Sequence, residues 1–93
     1  MANNIFISYD LNTPGQNYNN LIEQIKNLGN WAHVQHSLWH VKSNLNATQI
    51  RDALLRHIDK NDNLVVIDTS NNAISWSNVS TAVAQHLNST WNA

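Results

Sequence analysis

Two short runs of this chain are apolar almost without a break: Ile5-Phe6-Ile7 leading to Tyr9, and Leu64-Val65-Val66-Ile67. A strand with one wet face alternates apolar and polar residues; a strand covered on both faces need not. Both runs therefore predict strands buried on two sides. In 93 residues that is a severe constraint. A chain this short buries only part of its surface and has few elements with which to cover both faces of a sheet.

The remaining segments supply those elements. Residues 4–10 read as the first strand, and Pro14 and Gly15 mark a loop over 12–17. From Asn17 onward the spacing turns helical, with Tyr18, Leu21, Ile22, Ile25 and Leu28 on one stripe and Gly29 as the stop. Residues 31–42, WAHVQHSLWHVK, are rich in Trp and Val and extended in character. The run is long for one strand, so it divides into two at His36-Ser37, a hairpin with no glycine to mark it. Asn46 caps a second helix, with Gln49 as its box partner three residues on. Ile50, Ala53, Leu54, His57 and Ile58 form that helix's inner face. Asn61-Asp62-Asn63 is a turn, and 64–68 is a strand. After the Asn71-Asn72 turn, Ala73–Trp76 forms a short strand. Val79, Val83, Leu87 and Trp91 then fall four apart, so 78–91 reads as a third amphipathic helix.

The order strand, helix, strand, strand, helix, strand predicts an α+β domain: a ferredoxin-like βαββαβ sandwich with an antiparallel sheet. One domain spans 1–93, with a core over 3–69 and a C-terminal extension, a short strand and a helix, over 70–93. Two helices cover one sheet face. The second face needs a cover too, and the expectation is a second copy of the chain, with the tail helping. That makes a homodimer through sheet faces.

Composition narrows the function classes. The chain is 42% hydrophobic and 12% charged, with a net charge of -1, and seventeen residues are Asn. Asn forms turns and caps, so its abundance fits a folded chain. The absence of Cys removes disulfides, thiolate nucleophiles and cysteine zinc sites. The first apolar run is too short for a signal peptide and lacks a basic lead, and no stretch nears the ~20 apolar residues of a membrane span. A soluble cytoplasmic protein is expected.

Asp10 is the acid that invites chemistry. It stands at the mouth of the first strand, where a carboxylate can bind Mg²⁺ or can close an Asx-turn. The residues alone leave both readings open. If the first and fourth strands are antiparallel neighbours, Asp62 is the nearer second acid and Asp68 lies at the far end. Asp62 itself reads as a turn former. His33, His36 and His40 crowd one hairpin, but no Cys, Asp or Glu accompanies them, so they read as surface or interface histidines. His57 and His86 read as helix-face packing. Ser37 has no evident His/Asp partnership and suits the strand reversal. The tryptophans at 31, 39, 76 and 91 could stack bases, but little Lys or Arg interleaves them, so core and interface anchoring is the better reading. Five Lys and Arg, scattered along the chain, do not form the basic patch that duplex binding uses.

Three stretches carry a family resemblance: Tyr9-Asp10-Leu11-Asn12, then Val34-Gln35-His36-Ser37-Leu38-Trp39, then QIRDALL at 49–55. Together, over about residues 3–69, they resemble the small CRISPR-associated Cas-two family and most of all its SinR-like relatives. The resemblance implies a homodimer of ferredoxin-like domains with facing sheets. It also implies that the Asp ending the first strand pairs with its twin at the dimer axis, binds a divalent metal such as Mg²⁺, and serves a nuclease acting on RNA or DNA. That Asp corresponds to Asp10, and the motif serine to Ser37, which makes these two the catalytic candidates and Asp10 the metal ligand. The alternatives are a non-catalytic dimeric interaction or regulatory module, and a toxin-type ribonuclease of the VapD kind.

Overall fold

The computed structural model describes residues 2–12 and 18–91. The loop expected around Pro14 and Gly15, and the helix start expected at Asn17, lie mostly outside that range. The elements are β1 (Asn3–Asp10), α1 (Asn19–Lys26), β2 (Asn30–Gln35), β3 (Leu38–Ser43), α2 (Ala47–Leu54, continued by a 3-10 turn over Leu55–His57), β4 (Asn63–Asp68), β5 (Ala73–Ser77) and α3 (Thr81–Thr90). The five strands form one antiparallel sheet in the order β2-β3-β1-β4-β5. Among the described residues no helix is long and apolar enough to cross a membrane.

The side-chain alternation of a strand divides this sheet into two unlike faces. Ile5, Ile7 and Tyr9 of β1, Trp39 and Val41 of β3, and Leu64 and Val66 of β4 point to one side and are buried. Helices α1 and α2 cover that side with Leu21, Ile25, Ala47, Ile50 and Leu54. Such burial stabilises by roughly 1.5–3 kcal/mol for each large side chain removed from water. The opposite side carries Phe6, Leu38, His40, Val65, Ile67, Ile74 and Trp76, and all of these are only half-buried. The two apolar runs are therefore covered unequally. Within one chain only their helix side is closed.

Local chemistry fixes the ends of the elements. Asn46 caps α2 reciprocally: its Oδ1 accepts the Gln49 N–H at 2.8 Å, and Gln49 Oε1 accepts the Asn46 N–H at 2.9 Å. Ser80 caps α3 by accepting the Val83 N–H at 3.2 Å. Gly29 does more than end α1. A Cβ at this position would run into the carbonyl oxygen of Lys42 on β3, so only glycine lets the chain pass from α1 into β2. The His36-Ser37 reversal joins β2 to β3, and the pairing slips between His33 and Gln35, which absorbs the turn without a glycine.

Strand β2 is an edge strand, paired only to β3, and all six of its residues are exposed. One element departs from expectation. The tail helix begins at Thr81, not at 78, because Asn78 takes a left-handed conformation (φ 62°) and Ser80 supplies the cap. Val79 thus falls outside the helix, Val83 is 46% exposed, and α3 buries no residue fully. Only Ala84, Leu87 and Trp91 on that segment turn partly inward. The tail lies over the β4–β5 half of the second face, where Leu87 and Trp91 approach Ile74 and Trp76. The β1–β3 half is left open.

Candidate functional site at the end of the first strand

Asp10 closes β1 on the open face, directly opposite Asn63 of β4. Its side chain is exposed, and among the described residues nothing hydrogen-bonds to its carboxylate. Its backbone carbonyl accepts a long bond (3.4 Å) from Asn12 Nδ2. The Asx-turn expectation, in which the carboxylate would accept backbone N–H groups, finds no support there. Ser8, Asn63, Val65 and Val79 join Asp10 around a cleft of about 100 Å³. Asn63 is held in turn: its Oδ1 accepts Asn78 Nδ2 at 3.1 Å.

Ser37 reaches the same end of the sheet. Its carbonyl accepts the N–H of Tyr9 at 3.2 Å, which prolongs the β1–β3 ladder one step beyond Ser8–Leu38. The fold thus sets the Ser37 backbone beside Tyr9, one residue before Asp10, but Ser37 is not among the residues around the Asp10 cleft. No described partner activates the Ser37 hydroxyl.

Asp62 sits just behind Asp10 in the register but does a different job. Its side chain is 1% exposed. Oδ1 accepts the Asn12 N–H at 2.7 Å, Oδ2 accepts the Asp59 N–H at 2.7 Å, and the Tyr18 hydroxyl lies 2.9 and 2.8 Å from the two oxygens. Burial pushes this carboxyl up, but the two backbone N–H donors and the Tyr18 hydroxyl outweigh it and hold the group below the usual carboxylate range. Asp62 ties β1's exit to the start of α1. It is engaged by its own chain and does not turn toward Asp10. Asp68 lies at the other end of β4, opposite Ile5. It is buried and accepts the Ser70 and Asn71 N–H groups at 3.0 and 3.1 Å and Asn71 Nδ2 at 2.7 Å, so it builds the β4–β5 turn.

The hairpin histidines separate. His33 stacks on Trp39 (centroids 4.0 Å, planes 8° apart) on the helix side of the sheet. His40 lies on the open side, tilted against Phe6 at 5.1 Å, with Nε2 3.2 Å from Asn4 Oδ1. His36 is exposed at the turn. Alternation along β2 and β3 sends His33 and His40 to opposite faces, and among the described residues no three His, Asp or Glu side chains could hold a metal together.

The tryptophans divide as well. Trp39 is core, its Nε1–H donating to the Tyr9 hydroxyl at 2.9 Å. Trp31 is 46% exposed, with Lys26 Nζ 4.9 Å from its ring centre and Trp39 tilted against it at 5.4 Å. Trp91 Nε1–H donates to the Asn72 carbonyl at 2.9 Å and clasps the tail to the β4–β5 turn. Of the basic residues, Lys26 is drawn to Trp31, Lys42 donates to Asn4 Oδ1 at 3.1 Å, and Arg51 donates to Asp52 Oδ1 at 2.9 Å. They lie on different elements and make no patch.

Asn63, Asn78 and Val79 also stand near Asp10, although the sequence reads Asn63 as a turn residue and 78–91 as a helix. The only signal there was the Asn-Val-Ser run at 78–80, where Asn tolerates a left-handed backbone that turns the tail back over the sheet. Compared with family models, with curated proteins and with solved structures, the chain matches none.

Proposed function

We propose that this chain is a ferredoxin-like homodimer acting on nucleic acid, in which Asp10 of each copy contributes to a Mg²⁺-dependent phosphodiester-cleaving site. Asp10 itself carries the reading. It is a carboxylate placed at a strand end, exposed, with no hydrogen bond from the described residues, beside a cleft and at the rim of a half-covered apolar face. Every other acid whose strand reaches that end is tied into its own turn, as Asp62 is.

The ferredoxin-like reading is supported by the element order and by β1 lying between β3 and β4, with β5 added at the edge. The dimer reading is supported by Phe6 and Leu38 on the open β1–β3 half of this face, residues that a facing sheet would bury at a separation of about 10 Å. A second copy brought there about a twofold axis presents the same patch to itself.

The donor set fits a hard ion in part. Asp10 offers carboxylate oxygens, as Mg²⁺ prefers, and its twin would supply the second carboxylate with waters completing the shell. When bound, Mg²⁺ would neutralise phosphate charge and make a bound water more acidic. The chain's own residues do the rest. Asn78 holds Asn63 beside Asp10, Ser8 shares the cleft wall, and Val65 and Val79 keep the floor apolar.

A second reading, a non-catalytic dimeric module, is favoured by one observation: among the described residues of a single chain no group of three possible metal ligands exists, and the sequence holds few basic groups to bind phosphates. Incubation of the purified chain with single-stranded RNA, single-stranded DNA and duplex DNA, with Mg²⁺ or with chelator, separates the two. Catalysis requires Mg²⁺-dependent cleavage that disappears in Asp10→Ala while the dimer persists. Equal cleavage by Asp10→Ala, or none by the parent chain, removes the nuclease reading.

A further inference from the structure

A cavity of about 270 Å³ lies between α3 and β5, and its wall is built from Ile74, Trp76, Leu87 and Trp91 with the carboxamide-bearing Asn72 and Asn88 at its rim. No charged residue lines it. A helix that simply completed the core would fill this volume with its own side chains, as interiors are packed close to crystal density. Instead α3 stands off, clasped at its end by the Trp91–Asn72 bond and at its start by Asn78 on Asn63.

Two indoles, two aliphatic side chains and the Asn88 carboxamide in a half-open pocket suit a flat ring whose edge both donates and accepts hydrogen bonds. Nucleobases are such rings, and proteins take unstacked bases on aromatic side chains while amides read their edges. We infer that the cavity under α3 is a binding pocket for one base of a single-stranded nucleic acid. Double-stranded nucleic acid is a poor candidate, because its bases are stacked and paired and a cavity of this size admits one unstacked ring.

The register adds a direction. Ser8, Val65 and Trp76 lie in one row across β1, β4 and β5 on the open side, and Asp10 is two residues along β1 from Ser8. With strands about 4.8 Å apart and a rise of about 3.4 Å per residue, Trp76 and Asp10 are separated by about 12 Å on the same face. Val65 lines the Asp10 cleft and its row partner Trp76 lines the aromatic pocket, and the segment 78–91 contributes to each, Val79 to the cleft and Leu87, Asn88 and Trp91 to the pocket. A strand held by a base at Trp76 and Trp91 would run its backbone toward Asp10. This last link rests on the proposed function; the pocket stands without it.

The test uses the full chain. The indole N–H resonances of Trp76 and Trp91 are assigned with Trp76→Phe and Trp91→Phe, and the chain is titrated with AMP, UMP and short single strands of RNA and DNA. The inference expects shifts concentrated on those two indoles, saturating with added strand, and about tenfold weaker binding in Trp76→Ala, since stacking on an aromatic residue is typically worth that much. Asn88→Ala, on the exposed side of a helix, should weaken binding without disturbing the fold. The indole shifts are read without Mg²⁺, so their presence or absence bears on the pocket alone, whereas cleavage in any form bears only on the nuclease reading. No shift at either indole with any nucleotide or strand, or undiminished binding in both Trp76→Ala and Asn88→Ala, overturns the inference.

Discussion

Removing the Asp62 carboxylate should be the most damaging single change outside the apolar core. Asp62→Ala leaves three donors without their acceptor: the N–H groups of Asn12 and Asp59 and the hydroxyl of Tyr18. A buried donor left unsatisfied costs about 1–3 kcal/mol. Water can enter the space vacated near a loop, so the low end applies, and three donors give about 3 kcal/mol. Set against a total stability of about 5–15 kcal/mol, that is a large share. The effect has a pH signature. The folded carboxyl is held below its usual value, so its contribution is complete above the unfolded value of about 3.9 and is lost as pH falls through the lower, folded value. Urea unfolding of the parent chain and of Asp62→Ala, followed by tryptophan fluorescence at fixed protein concentration, measures both effects. The account expects a gap of about 3 kcal/mol at pH 7 that narrows below about pH 4. A gap under about 0.5 kcal/mol at pH 7, or one that does not narrow in acid, refutes the reasoning, because it would mean that Asp62 behaves as an ordinary surface residue.

Three further changes probe other links. Gly29→Ala drives a methyl group into the Lys42 carbonyl and should lower the melting temperature by about 10 °C or more, at roughly 4–8 °C per kcal/mol for a chain of this size; an unchanged melting curve would show that the α1–β2 passage yields easily. Tyr9→Phe takes the acceptor from the buried Trp39 N–H and should cost about 1–3 kcal/mol in urea unfolding, with the far-UV spectrum retained. Phe6→Glu places a charge in the middle of the open face and should convert the dimer to a folded monomer in sedimentation velocity; a dimer that survives it does not use this face.

Much of the architecture could be read from residue pattern because its causes are local. The Asn46–Gln49 box sets α2 within four residues, and the periodicity of Leu21 and Ile25 sets α1. The two-strand division of 31–42 held because alternation put Trp39 and Val41 inward on β3, which no single long strand could do alongside an exposed β2. What could not be read depended on distant partners. Asp62 has the composition of a turn, and Asp59 does close one on it, but Asn12 and Tyr18 reach it from 50 and 44 residues away. The tail's apolar spacing was visible, yet spacing does not reveal whether a partner surface exists; α3 found only the β5 edge and left Val83 in water. The candidate site was half legible. Asp10 and Ser37 stand out in the motifs, but Ser37 does not line the cleft, and Asn63, Asn78 and Val79 come near Asp10 only through strand pairing and the Asn78 turn.

The central claim is that two copies meet through the open sheet face and bring their Asp10 side chains together. The chain has no cysteine, so Asp10→Cys introduces a single thiol and makes the test clean. A disulfide forms only when Cα atoms come within about 7 Å, and a short bis-thiol reagent extends the reach modestly beyond that. The account predicts rapid conversion to a covalent dimer under mild oxidation or with the reagent, abolished by Phe6→Glu. A chain that is dimeric in solution but bridged by neither treatment, or one that is monomeric, contradicts it.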